Sequence, residues 1–148
     1  MLNLLINPNS IQMIETKKRI LVIDDDIDLL MLLERRLQKE NYEVETAVSL
    51  HEAEDTIEYF SPHLILLDIN INGDDGRQLC WKIKNDEQYS DIKIIIMSGY
   101  DFDTGRAILF GADELLAKPL HADYLLHRIA LHLSNEAFNA LAIPFDNL

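Results

Sequence analysis

One cysteine, Cys80, stands in 148 residues, so no disulfide can close within the chain, and a reducing, cytoplasmic setting is expected. Also missing is any apolar run near the ~20 residues that a membrane-spanning helix needs. The apolar stretch 1–6 is short, lacks a basic flank and runs into Asn7-Pro8-Asn9, so it does not read as a signal peptide. Basic residues are scarce. Thirteen Lys and Arg face 26 Asp and Glu, a net charge of −13 that is repelled by nucleic-acid phosphates and anionic lipid. Neither direct nucleic-acid binding nor a membrane partner is expected. No repeat or low-complexity segment stands out, and the five histidines show no ligand spacing with Cys or Asp. What is present is 48% apolar and 26% charged residues, the composition of one domain with its own core.

The apolar residues are organised. Residues 19–24 form a short apolar run, read as a buried strand. A helix is expected over 27–40, with Leu30, Leu33 and Leu37 on one face. A second, alternating strand covers 42–47. Ser49 and Glu52 form a capping box that opens a helix to about Phe60. A third strand over 63–67 leads to Asp68, and 70–76, rich in Asn, Asp and Gly, reads as a loop. A helix to about Asn85 follows, on which one of Cys80 and Trp81 packs and the other is partly exposed. The fourth strand, 92–97, leads to Ser98. A short helix over 102–110 is ended by Gly111, a fifth strand covers 114–117, and a last amphipathic helix covers 121–133. Strands that alternate with helices in this way predict an α/β fold, a parallel sheet with helices on both faces. Residues 1–18 and 134–148 read as an N-terminal extension and a C-terminal tail around one domain, 19–133. The apolar side chains of the tail (Phe138, Leu141, Ile143, Phe145) could dock on the domain or on a second copy.

In such sheets ligands bind beyond the carboxyl ends of the strands. Those ends carry the polar residues here: Asp24, Asp25 and Asp26 after the first, Asp68 after the third, Ser98 after the fourth and Lys118 after the fifth. Carboxylates brought within a few ångströms repel one another until a proton or a cation intervenes. An all-oxygen ligand set without His or Cys points to Mg²⁺ or a similar hard ion. An aspartate can attack phosphorus and become an aspartyl phosphate, with a lysine and a hydroxyl holding the phosphoryl oxygens. Each residue also has a plainer reading. Asp26 can cap a helix, Ser98 can sit in a turn, and Lys118-Pro119 can stop a helix. Their joint placement at four strand ends carries the argument.

The segments ILVIDDDIDLL, HLILLDININGDDG, IKIIIMSGYD and GADELLAKPL resemble the response-regulator receiver family of two-component signalling over residues 19–133. The resemblance implies a flavodoxin-like, doubly wound sheet of five parallel strands in the order 2-1-3-4-5 with five helices. It makes Asp68 the phosphorylated residue, with Ser98 and Lys118 as its catalytic partners. It assigns Mg²⁺ to Asp24, Asp25, Asp68 and the backbone carbonyl of Asn70. It makes the Lys118-Pro119 bond cis at Pro119 and keeps the small Gly99 beside the phosphoryl group. Asn70 and Tyr100 fall where self-dephosphorylation is tuned. The implied partners are a histidine kinase or a histidine phosphotransfer protein and a downstream protein target, with a homodimer as one form of output. No enzymatic role is implied beyond self-phosphorylation and self-dephosphorylation.

Three departures stand out. Leu115 occupies the switch position, paired with Ser98, where Tyr or Phe is usual, so activation without an aromatic switch is expected. The stretch from Ser98 to Gly111 is shorter by about two residues and contains the helix-weakening Gly105. Asn72 stands where Pro is usual. No DNA-binding or enzymatic output domain is expected after residue 133, which leaves protein–protein output. Two rival readings remain. One is an unphosphorylated binding module on the same fold. The other is a haloacid-dehalogenase-type phosphatase with Asp24 and Asp26 as D-x-D, but there Asp28 falls at an unfitting position, no cap domain is present and Asp68 has no role.

Overall fold

The central strands are nearly all apolar because both of their faces are covered. In the computed structural model, which describes residues 16–99 and 110–134 and the pairing of Ile6–Asn7 with Ser10–Ile11, five parallel strands make one sheet. They are β1 (Arg19–Ile23), β2 (Glu43–Ala47), β3 (Leu64–Asp68), β4 (Lys93–Ser98) and β5 (Glu114–Ala117). The order is β2-β1-β3-β4-β5, with all neighbours parallel. It is the doubly wound order, and the chain reverses its direction of travel across the sheet between β1 and β3. Ile20 to Ile23, Leu64 to Leu67 and Ile94 to Met97 are fully buried. A parallel sheet packed on both sides requires such continuous apolar runs.

The helices are α1 (Ile27–Lys39), α2 (Leu50–Phe60), α3 (Gly76–Lys84) and α4 (Ala122–Leu133). Leu30, Leu33 and Leu37 of α1 and Leu125 and Ile129 of α4 pack on one face of the sheet. Ala53 and Ile57 of α2 and Leu79, Cys80 and Ile83 of α3 pack on the other. Asp26 starts α1 by accepting the Leu29 N–H at 3.1 Å. Ser49 starts α2 by accepting the Glu52 N–H at 3.1 Å, while the Glu52 carboxylate takes the N–H of Val48, one residue further back than in a strict capping box. The expected fifth helix, over 102–110, lies outside the described residues except for Phe110, and the tail lies outside them beyond Ser134.

The expected loop at 70–76 is instead a small hairpin, Asn70–Ile71 paired with Asp74–Asp75. Its turn is Asn72-Gly73, with φ of +52° and +86°. That is the two-residue turn for which Asn-Gly is the preferred sequence, and Ile71 anchors it in the core. Cys80 is buried with its thiol on the Phe110 carbonyl, and burial pushes its pKa to about 11, while Trp81 is 55% exposed. Three of the five histidines have polar partners, and His51 lies 3.9 Å from Asp55 on the exposed side of α2. His63 accepts the Arg19 N–H at 2.9 Å, and His132 pairs with Glu114 at 2.6 Å. Among the described residues no helix is long and apolar enough to cross a membrane.

Leu37 and Leu32 lie on opposite sides of α1, one fully buried and one 65% exposed. Urea denaturation is expected to show Leu37→Ala losing roughly 2 to 5 kcal/mol. Leu32→Ala is expected to stay within about 0.5 kcal/mol of the wild type.

Candidate functional site

Because the strands are parallel and in register, their carboxyl ends align. Ile23 pairs with Leu67, Asp68 with Met97 and Ser98 with Ala117. Asp24 and Asp25 leave β1, Asp68 and Ser98 are the last residues of β3 and β4, and Lys118 follows β5. One carboxylate oxygen from each of Asp24, Asp25 and Asp68 lies within 4.8 Å of the others. The Lys118 ammonium sits 2.7 Å from Asp24 and 3.6 Å from Asp68. Asp24, Asp68 and Ser98 are buried, and Asp25 is exposed. An open cleft of about 630 Å³ is lined by Asp25, Asp68, Asn70, Ser98, Gly99 and Lys118 among others. The Lys118-Pro119 peptide bond is cis, and the Lys118 N–H donates to the Ser98 carbonyl at 2.6 Å. Leu115 pairs with Ile96 and packs, half-buried, on the α2/α3 side of the sheet. Tyr100 and Gly105 lie outside the described residues.

The electrostatics follow from crowding. Burial raises the pKa of Asp68 first, and the charge of Asp24 raises it further. Lys118 and the Asn70 N–H pull it down without reversing the shift. Burial works against the Lys118 charge, but the Asp24 hydrogen bond and the Asp68 and Asp24 charges outweigh it, so its pKa is raised. One ammonium does not balance three carboxylates. A clustered, partly buried set of oxygen donors with residual negative charge fits a hard divalent cation.

Several site residues were not legible as such. The Asn72 N–H donates to Asp25 Oδ2 at 2.9 Å, and the Asn72 side-chain amide donates to the Val48 carbonyl at 3.0 Å. Gly76, at the start of α3, donates its N–H to the Ile69 carbonyl, and a Cβ there would overlap the Asp68 carbonyl oxygen. Asp75 caps α3 and grips Arg77 through both carboxylate oxygens at 2.7 to 3.1 Å. The Arg77 guanidinium lies 5.2 Å from the centre of the Phe110 ring. Asp75 and Arg77 also line the cleft. Asn72-Gly73, a preferred pair for a two-residue hairpin turn, was the sequence signal for this turn. Asp26, the second Asp of the D-x-D reading, is committed to capping α1.

The response regulator receiver domain family matches residues 20–130. The chain belongs to that family. It is 36% identical over 115 residues to the probable transcriptional regulator ycf27 of Cyanophora paradoxa, covering 76% of this chain and 47% of that one. It is 32% identical over 122 residues to the heme response regulator HssR of Staphylococcus epidermidis, covering 81% of this chain and 53% of that one. The chain thus spans about half the length of these curated relatives. A solved CheY-like receiver domain protein from Methanospirillum hungatei superposes with a TM-score of 0.74 at 30% identity, covering 84% of this chain and 99% of that one. The fold is therefore that of a receiver domain of two-component signalling, a family whose members work with histidine kinases or phosphotransfer proteins and bind Mg²⁺ through acidic residues.

The raised Asp68 pKa has a sign. A carboxyl that holds its proton more tightly when folded favours the fold at low pH, and that contribution is lost as pH rises through the folded pKa. Without metal, Asp68→Asn is therefore expected to be more stable than the wild type at pH 7, with the difference fading as pH falls toward about 4. Thermal melts across that range, in chelator, check this. Equal or lower stability of the variant at pH 7 would contradict it.

Proposed function

We propose that this receiver domain takes a phosphoryl group onto Asp68 from a phosphohistidine of a histidine kinase or histidine phosphotransfer protein, in a Mg²⁺-dependent reaction. The observation that carries the reading is the convergence of Asp24, Asp25, Asp68 and Lys118 at one edge of the sheet. A carboxylate oxygen of Asp68 attacks phosphorus. The P–N bond to the donor imidazole breaks, its electron pair stays on that nitrogen, and an acyl phosphate forms. Asp24, Asp25, Asp68 and the Asn70 carbonyl would hold Mg²⁺, which when bound supplies neutralising charge to the phosphoryl oxygens. Lys118 already bridges Asp24 and Asp68, so a phosphoryl group on Asp68 meets a positioned ammonium without a large rearrangement. Ser98 donates its hydroxyl to a phosphoryl oxygen from the end of β4.

The change in charge at Asp68 biases the segments after β3 and β4, which pass the signal on. Leu115 in the switch position makes this a transition without a swinging aromatic. The output is protein–protein contact, whether with a downstream target, with a second copy or as onward transfer in a relay. The chemistry is confined to the domain's own phosphorylation and dephosphorylation.

Labelled acetyl phosphate with Mg²⁺ tests the reading. One labile phosphoryl group per chain is expected, absent in Asp68→Asn. Lys118→Ala is expected to slow its appearance by about 100-fold. No label on the wild type, with beryllofluoride also failing to bind, would instead favour the unphosphorylated binding module.

A further inference from the structure

The hairpin after the acceptor does more than close a loop. Asn72 stands at φ +52°, a conformation that lets its N–H reach Asp25 Oδ2 at 2.9 Å. The same residue's side-chain amide reaches the Val48 carbonyl, just beyond β2, at 3.0 Å. The neighbouring Gly73 N–H donates to Asn70 Oδ1 at 3.1 Å, so the turn is fixed from within as well. Asp25 is the exposed member of the carboxylate cluster, while Asp24 and Asp68 are buried. Asp24 is already held by the Lys118 ammonium and the Asp26 N–H. A solvent-exposed Asp25 repelled by two carboxylates would turn outward unless something held it.

We propose that Asn72 is a positioning residue for metal binding: its backbone N–H holds the Asp25 carboxylate in the cluster before the cation arrives. The proposal rests on the Mg²⁺ reading above. It follows from how ligands are oriented by the groups behind them, whose loss commonly costs ten- to hundredfold in affinity. Proline at this position could not serve. It has no N–H, and its ring fixes φ near −65°, on the wrong side of zero for this turn. The side-chain link to Val48 and the Asn70–Gly73 bond make the turn a rigid platform, so little ordering is left for the metal to impose.

Calorimetric titration of Mg²⁺ into the full chain separates the possibilities. Asn72→Pro is expected to bind Mg²⁺ about tenfold more weakly than the wild type. Asn72→Gly restores the N–H and tolerates positive φ, so it is expected to recover most of that loss, although it lacks the amide to Val48. If wild type binds and Asn72→Pro binds equally well, the positioning role is wrong while the metal reading stands. If wild type itself does not bind Mg²⁺, both fall. Should Asn72→Pro not fold, the wild-type Asn72 amide resonance decides. A bond that favours the metal must be favoured by it in return, so saturating Mg²⁺ should slow hydrogen exchange at that amide. An amide that exchanges equally fast with and without Mg²⁺ would overturn the proposal.

Discussion

Three carboxylates are pressed together at the edge of a buried sheet with one ammonium among them, and the rest of the domain is arranged around that imbalance. At an effective dielectric of about 20, two carboxylates 4.8 Å apart repel by roughly 3.5 kcal/mol. Such a cluster holds together only because the apolar strands behind it leave Asp24 and Asp68 nowhere to go. β1, β3 and β4 are sealed on both faces by α1, α4, α2 and α3, and their registers fix where each chain emerges. The cluster is thus a consequence of core packing, and its unbalanced negative charge is what a cation would neutralise.

Much of this was legible in the sequence. The central strands β1, β3 and β4 read as apolar runs because parallel strands covered on both sides have no polar face to alternate, while the edge strand β2 read as alternating. The acidic residues, Ser98 and Lys118 were conspicuous because each follows directly on such a run. The hairpin after Asp68 was less legible. Asn72-Gly73 carries its signal, but a two-residue strand on either side is too short to show a period. The Asp25–Asn72 bond spans 47 positions and the Arg77–Phe110 contact 33, and neither follows from local pattern. The overlap that would meet a Cβ at Gly76 is likewise a property of the assembled backbone alone.

The β5 edge is fastened from the helix side. Arg128 and His132 of α4 each approach Glu114 to 2.6 Å. Burial opposes the Glu114 charge, but those two hydrogen bonds outweigh it and hold its pKa below the usual range. The Arg36–Asp123 pair links α1 to α4 as well, but Asp123 is 96% exposed, so the link adds little. Leu115, the next residue on the same strand, packs partly buried against the core on the α2/α3 side of the sheet. A branched aliphatic packed there has no hydroxyl to bury or release, which sets this edge apart from one built around tyrosine.

The ion pair between Asp24 and Lys118 joins positions 94 residues apart, the first strand of the sheet to the residue after its last. No fragment that ends before Lys118 contains both halves of that contact. While a ribosome is still making the chain, the early strands can pair, yet Asp24 and Asp68 lack their counter-charge until β5 has been synthesised and docked. The complete arrangement of carboxylates and ammonium therefore arrives in one step with completion of the sheet.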